Sequence, residues 1–204
     1  MIKTNLLLMF IIILTGTCFC QPLKIVFTGG PCIGKTTLIN ALANKGYSVV
    51  AEAGTAVITE EKKKGNLEPW RNLEQFQLAI LKKQLDFFYP VLTSNANIVF
   101  LDRAIPDGLA HFYFHGKTPP AEIVALSKAI KYDYVFVLEP LPVFESNGIR
   151  RETPQEARKL HALLSHIYQT KLGYNIPIIN VPVLTVDERI EFVLNKLREF
   201  KAIP

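Results

Sequence analysis

One stretch, KIVFTGGPCIGKTT at residues 24–37, constrains the fold of this 204-residue chain more than any other. Gly29, Gly34, Lys35 and Thr36 satisfy the pattern G-x-x-x-x-G-K-[ST], directly after an apolar run and directly before a helical pattern. That context is a strand, a tight loop and a helix N-terminus, where backbone N–H groups and the helix dipole converge on a phosphate. Residues Gly29, Gly30, Pro31, Cys32, Ile33, Gly34, Lys35, Thr36 and Thr37 are therefore the candidate nucleotide contacts. Gly29 and Gly34 allow close approach and unusual φ values. Lys35 is placed to bridge β- and γ-phosphates, Thr36 to ligate Mg²⁺ and Thr37 to reach the α-phosphate. Cys32 lies inside the loop, where a thiol reagent would obstruct the ligand.

The body repeats the same rhythm. Short runs rich in β-branched and aromatic residues occur at Lys24–Thr28, Ser48–Ala51, Asn97–Leu101, Tyr132–Leu138 and Pro177–Asn180, each separated by enough chain for a helical crossover. Helical signals lie between them: Thr36–Asn44 ending at Gly46, the apolar periodicity of Leu73–Phe88, and capping boxes at Thr153–Glu156 and Thr185–Glu188. The expected architecture is α/β, a three-layer α/β/α fold with a mostly parallel five-stranded sheet. No linker divides residues 23–204, so residues 21–204 form one expected domain.

Residues at strand ends face the crevice in such sheets. Asp102 and Arg103 end the third run, and Asp102 is the expected Mg²⁺ partner of Thr36. Arg103 suits either a phosphate or carboxylate fork or a surface ion pair. Asp107 either caps a turn or faces the pocket. Glu52 follows the second run and is either a base for an attacking hydroxyl or a solvated loop acid. Gln77 and Gln84, seven residues apart, share a helix face with Ile80 and Leu81, either lining an acceptor pocket or edging an apolar stripe. Asn147-Gly148 followed by Arg150 and Arg151 suits either a lid that closes arginines over phosphate or an ordinary basic loop. His111, His115, His161 and His166 show no zinc spacing and read as structural or surface residues.

A hydrophobic content of 49% excludes intrinsic disorder. The formal charge of +5 suits phosphate ligands, but the basic residues are too dispersed to indicate nucleic acid. Lys62-Lys63-Lys64 reads as a solvated helix end. Residues 1–20 stand apart, with Lys3 ahead of an apolar run from Leu6 to Leu14, and Cys18 and Cys20 placed as small residues of a cleavage site. This is the layout of a signal peptide. The run is short for a membrane span, which takes about 20 residues, though a short anchor or a misassigned start fits the segment too. Without the segment only Lys3 is lost, the charge becomes +4, and Cys32 is the sole thiol. The segment thus indicates export or anchoring, while the body suits a reducing, cytoplasmic-type environment.

The ordered set TGGPCIGKTT, VVAEAGTAVI, FLDRAIPDGLAHF, GIRRETPQEA and VPVLTVDER resembles the NadR-like AAA-type ATPase domain family over nearly all of residues 23–204. The resemblance implies a P-loop NTPase fold like that of nucleoside and nucleotide kinases. Its carry-over matches Gly29 to Thr37 to the nucleotide loop, Glu52 to the acid after the second strand, Asp102, Arg103 and Asp107 to the DRxxPD element, and Arg150 and Arg151 to the lid. Pro31-Cys32-Ile33 departs from the smaller residues of many relatives. The expected activity is transfer of a phosphoryl group from Mg-ATP or Mg-GTP to a small nucleoside-like acceptor. Lys35, Glu52, Asp102, Arg103, Arg150 and Arg151 would be catalytic, and Thr36 and Asp102 would hold the metal. The alternative is a nucleotide-dependent module that grips a phosphoinositide or protein partner and hydrolyses slowly, with an anionic membrane surface met by the basic body.

Overall fold

The computed structural model describes residues 21–141, 153–171 and 176–204. The signal-like segment with Cys18 and Cys20, and the lid loop with Arg150 and Arg151, lie outside the described residues. Five strands form one sheet: β1 (Leu23–Thr28), β2 (Ser48–Val50), β3 (Ile98–Asp102), β4 (Tyr134–Leu138) and β5 (Ile178–Val181). Their order is β2-β3-β1-β4-β5, and all four pairings are parallel. The expectation of a mostly parallel sheet is thus met by a wholly parallel one, because every connection between strands contains a helix that returns the chain to the same end.

Seven α-helices occur among the described residues: α1 (Lys35–Asn44), α2 (Ala53–Lys63), α3 (Leu73–Leu92), α4 (Ile105–Phe114), α5 (Ala121–Ala129), α6 (Pro154–His166) and α7 (Val186–Glu199). The two capping boxes form as their sequences require. Thr153 and Glu156 cap α6, and Thr185 and Glu188 cap α7, each Thr hydroxyl accepting from the Glu backbone N–H and each Glu carboxylate accepting from the Thr backbone N–H. Wider, π-type turns over Ile167–Lys171 continue α6 and turn Tyr168 into the core. Lys62 and Lys63 close α2 in solvent, as the charge run implies.

Both faces of the sheet are covered, so its strands are apolar on both sides. Ile25, Phe27, Phe100 and Phe136 meet Leu38 and Leu42 of α1 and Ile190, Val193 and Leu197 of α7. Phe27 stacks on Phe100 with ring centroids 5.6 Å apart. On the other face Val26, Val99, Leu101, Val135 and Val137 meet α3, α4, α5 and α6 through residues such as Leu81, Leu109, Leu126 and Leu160. No helix among the described residues is long and apolar enough to cross a membrane.

Register decides what reaches the crevice. Phe27 pairs with Asp102, so β3 ends beside the point where β1 enters the phosphate loop. Val50 pairs with Leu101, so two residues further on Glu52 comes level with Arg103.

Candidate functional site

The phosphate loop leaves β1 at Thr28 and closes at Gly34, the N-cap of α1. Gly29 adopts φ +127° and Gly34 φ +84°. A Cβ on Gly29 would stand 2.6 Å from Ile33 Cδ1 and 3.0 Å from the Leu138 oxygen, so only glycine fits there. Cys32 also has positive φ, +56°, in a half-buried position. The Thr36 and Thr37 side chains lie on the exposed side of the helix start. The Lys35 ammonium is buried and donates to the carbonyl oxygens of Gly30 at 2.6 Å and Gly29 at 3.2 Å.

Asp102 stands opposite. Its Oδ2 accepts from the Thr36 hydroxyl at 2.8 Å, while Oδ1 is buried with no hydrogen-bond partner. Burial pushes this carboxyl above the usual range and Glu52 adds to the shift, against the pull of Lys35, Arg103 and the Thr36 bond. A hard divalent cation needs this kind of oxygen, and one orphaned carboxylate oxygen beside a hydroxyl fits it. Among the described residues no three His, Cys, Asp or Glu side chains converge on a metal position. Any Mg²⁺ at Thr36 and Asp102 would therefore complete its shell with phosphate and water oxygens.

Arg103 is the centre of a buried charge cluster. Its Nε donates to Glu52 Oε1 and its Nη1 to Asp107 Oδ1, both at 3.0 Å. Its backbone has φ +69°, and its N–H donates to the Phe27 oxygen at 3.0 Å. A non-glycine residue in this region is held there by its surroundings. Burial alone would lower the guanidinium pKa, but Glu52, Asp107 and Asp102 outweigh it and the net shift is upward. The two readings of Arg103 resolve into a carboxylate fork that is buried rather than on the surface. Asp107 both caps and faces the site. It accepts from Thr28 at 2.8 Å, Tyr168 at 2.7 Å and the Ala104 N–H at 3.3 Å as well as from Arg103.

Glu52 is half-buried rather than solvated, with its second oxygen accepting from the Thr55 hydroxyl at 2.9 Å. It borders a cleft of about 330 Å³ between α2, α3, α4 and the start of α6. Trp70, Phe76, Ile80, Phe114 and Leu160 supply apolar walls, and Gln77, Gln84, His111, His115 and Arg103 supply polar groups. Gln77 is only 4% exposed and lines the cleft, while Gln84 lines it from a half-buried position that also fits the edge of the apolar stripe.

The four histidines are half-buried or exposed, as the reading of structural or surface residues expects, but three of them lie where the sequence did not place them. His111 and His115 line the cleft. His161, on α6, accepts from the Gly30 N–H through Nδ1 at 3.3 Å, and so engages a donor of the phosphate loop itself. Burial, followed by the nearby Lys35 charge, holds its imidazole below the ordinary range despite the opposing pull of Glu139. Trp70 and Arg189 also escaped the sequence reading. Arg189 reaches back 156 residues to the Ile33 oxygen. No local spacing announces either contact, since both depend on how distant helices pack.

A family model for an AAA domain matches residues 24–189. No curated protein matches this sequence. Among solved structures the thymidylate kinase from Candida albicans is similar in fold, with TM-score 0.57 at 15% identity, over 89% of this chain and 93% of that one. The match from the first strand to the start of α7 spans the loop, Glu52, the Asp102–Asp107 cluster and Arg189, and the chain belongs to the AAA domain family of P-loop proteins.

Proposed function

We propose that this protein transfers the γ-phosphoryl group of Mg-ATP or Mg-GTP to a hydroxyl of a small nucleoside-like acceptor. The observation that carries this reading is the junction of two sites at one pair of adjacent residues. Asp102 bonds to Thr36 of the phosphate loop, and Arg103 bonds to Glu52 on the rim of the cleft. A donor at the loop and an acceptor in the cleft would meet there. The aromatic walls suit a flat ring, and the amides of Gln77 and Gln84 suit its polar edge.

The roles follow from position. The acceptor hydroxyl oxygen forms a bond to the γ-phosphorus as the bond to the β–γ bridging oxygen breaks. Glu52 takes the hydroxyl proton, held by Arg103 and Thr55. Lys35 exchanges its loop carbonyls for the β- and γ-phosphate oxygens and offsets charge on the leaving nucleoside diphosphate. Thr36 and Asp102 hold Mg²⁺, which supplies charge neutralisation when bound. Arg150 and Arg151, which lie outside the described residues, keep only the lid role that their sequence context suggests.

The test is ATP and GTP turnover by the full chain with Mg²⁺, alone and against a panel of nucleosides, with Lys35→Ala as the blank. Stimulation by one acceptor and a loss of roughly 100-fold or more in Lys35→Ala are expected. Full turnover by Lys35→Ala would sink the proposal. Tight nucleotide binding with slow turnover, indifferent to every acceptor, would instead favour the switch-like binding module.

A further inference from the structure

Arg189 lies in the first turn of α7, only 4% exposed, beside the phosphate loop at Ile33 and Gly34. Its Nη1 donates to the Ile33 oxygen at 2.8 Å, and a Cβ on Gly34 would stand 3.2 Å from that nitrogen. Nε and Nη2 are buried and have no hydrogen-bond partner. Among the described residues no acid forms a salt bridge with it, in contrast to Arg103, which has Glu52 and Asp107.

The placement is electrostatically unfavourable on its own. Gly34 is the N-cap of α1, and Arg189 sits at the start of α7. Helix N-termini carry partial positive charge, so both disfavour a cation. Burial without an anion disfavours it further and holds the guanidinium pKa below its ordinary range. A buried cation with two unpartnered nitrogens beside a phosphate loop gains its missing counter-charge when an anion occupies that loop.

We propose that Arg189 is a nucleotide-binding residue that braces the loop through the Ile33 carbonyl and complements the phosphate chain of a bound nucleoside di- or triphosphate. This rests on the reading of residues 29–37 as the nucleotide site, but not on the identity of any acceptor. Arg189 thereby acts as a second loop cation beside Lys35, delivered from the far end of the chain. Part of the folded state's stability is given up for it in the empty protein and recovered when phosphate binds.

The test compares Arg189→Met, Arg189→Gln and Arg189→Lys in the full chain, by calorimetric binding of MgATP, MgADP and AMP and by thermal melting without nucleotide. In Arg189→Met, binding of MgATP and MgADP should weaken roughly tenfold or more, and that of AMP much less. The nucleotide-free Arg189→Met protein should melt at or above the wild-type temperature, because an apolar side chain replaces an unpaired buried charge. Arg189→Lys should retain most of the affinity, and Arg189→Gln, which keeps a donor for Ile33, should lose it as Arg189→Met does. Wild-type affinity for MgATP in a folded Arg189→Met or Arg189→Gln protein would overturn the proposal. So would an equal loss for AMP and MgATP, or collapse of both neutral variants, either of which would mark Arg189 as scaffold. Failure of the wild type to bind MgATP or MgGTP would sink the nucleotide reading of the loop itself.

Discussion

Thr36 and Asp102 are 66 residues apart in the chain, and the hydroxyl of the first donates to Oδ2 of the second at 2.8 Å. The bond joins the start of α1 to the end of β3 and leaves Asp102 Oδ1 free to receive a cation. Asp102→Asn should raise the Mg²⁺ concentration needed for nucleotide turnover by about 10- to 100-fold. The nucleotide-free variant should be no less stable than the wild type at neutral pH. The Asp102 carboxyl is raised in the folded state, so its contribution is fully present below the unfolded pKa and is lost as pH rises through the folded value. Mg²⁺ titration and urea denaturation test both halves, and an unchanged Mg²⁺ midpoint would refute the metal assignment.

Asp107 receives four donors, and Tyr168 is the one supplied by the π-type turns after α6. Tyr168→Phe removes a buried bond to a carboxylate while keeping the ring. A loss of roughly 1.5–3 kcal/mol in unfolding free energy is expected. A denaturation midpoint within experimental error of the wild type would show that the remaining three donors suffice.

His161 must be neutral to accept from Gly30. Its folded pKa lies below the ordinary value, so its contribution to stability is fully present above the unfolded pKa of about 6.5. It is lost as pH falls from there through the folded value. The stability gap between wild type and His161→Gln should therefore shrink between pH 7.5 and pH 5.5. Paired urea melts at the two values measure it. A gap that is constant, or that widens with acid, contradicts the assigned tautomer role.

Cys32 sits at φ +56° in the loop with a half-buried thiol. Alkylation there adds bulk where phosphate must enter. In a chain with Cys18→Ser and Cys20→Ser, one equivalent of N-ethylmaleimide should abolish nucleotide binding, and saturating MgATP should protect the thiol. Cys32→Gly should bind nucleotide and resist the reagent, since glycine accepts that backbone conformation freely. Inactivation of Cys32→Gly at the wild-type rate would place the sensitive group elsewhere.

The loop was readable because its chemistry is contiguous: strand, glycines, Lys35 and Thr36 lie within fourteen residues. The capping boxes at Thr153 and Thr185 were readable for the same reason, their partners being three residues apart. Strand bounds fell within two residues of those observed, because hydrophobic runs buried on both faces have distinct composition. Helices α4 and α5 were less legible. Gly108, a poor helix former, lies inside the unbroken α4, and the apolar residues of both helices pack against neighbouring elements.

The amino-acid sequence by itself thus determined the parallel α/β class, the position of the phosphate loop and the candidate pairing of Thr36 with Asp102. Tertiary structure alone decided which alternatives were real. Strand register brought Glu52 level with Arg103 and buried their pair. Packing of α3 placed Gln77 in the cleft, packing of α6 set His161 on Gly30, and packing of α7 drove Arg189 beneath Ile33. The physical reason is range. Backbone propensity and capping act within a few residues, whereas burial and charge pairing depend on what distant segments bring together.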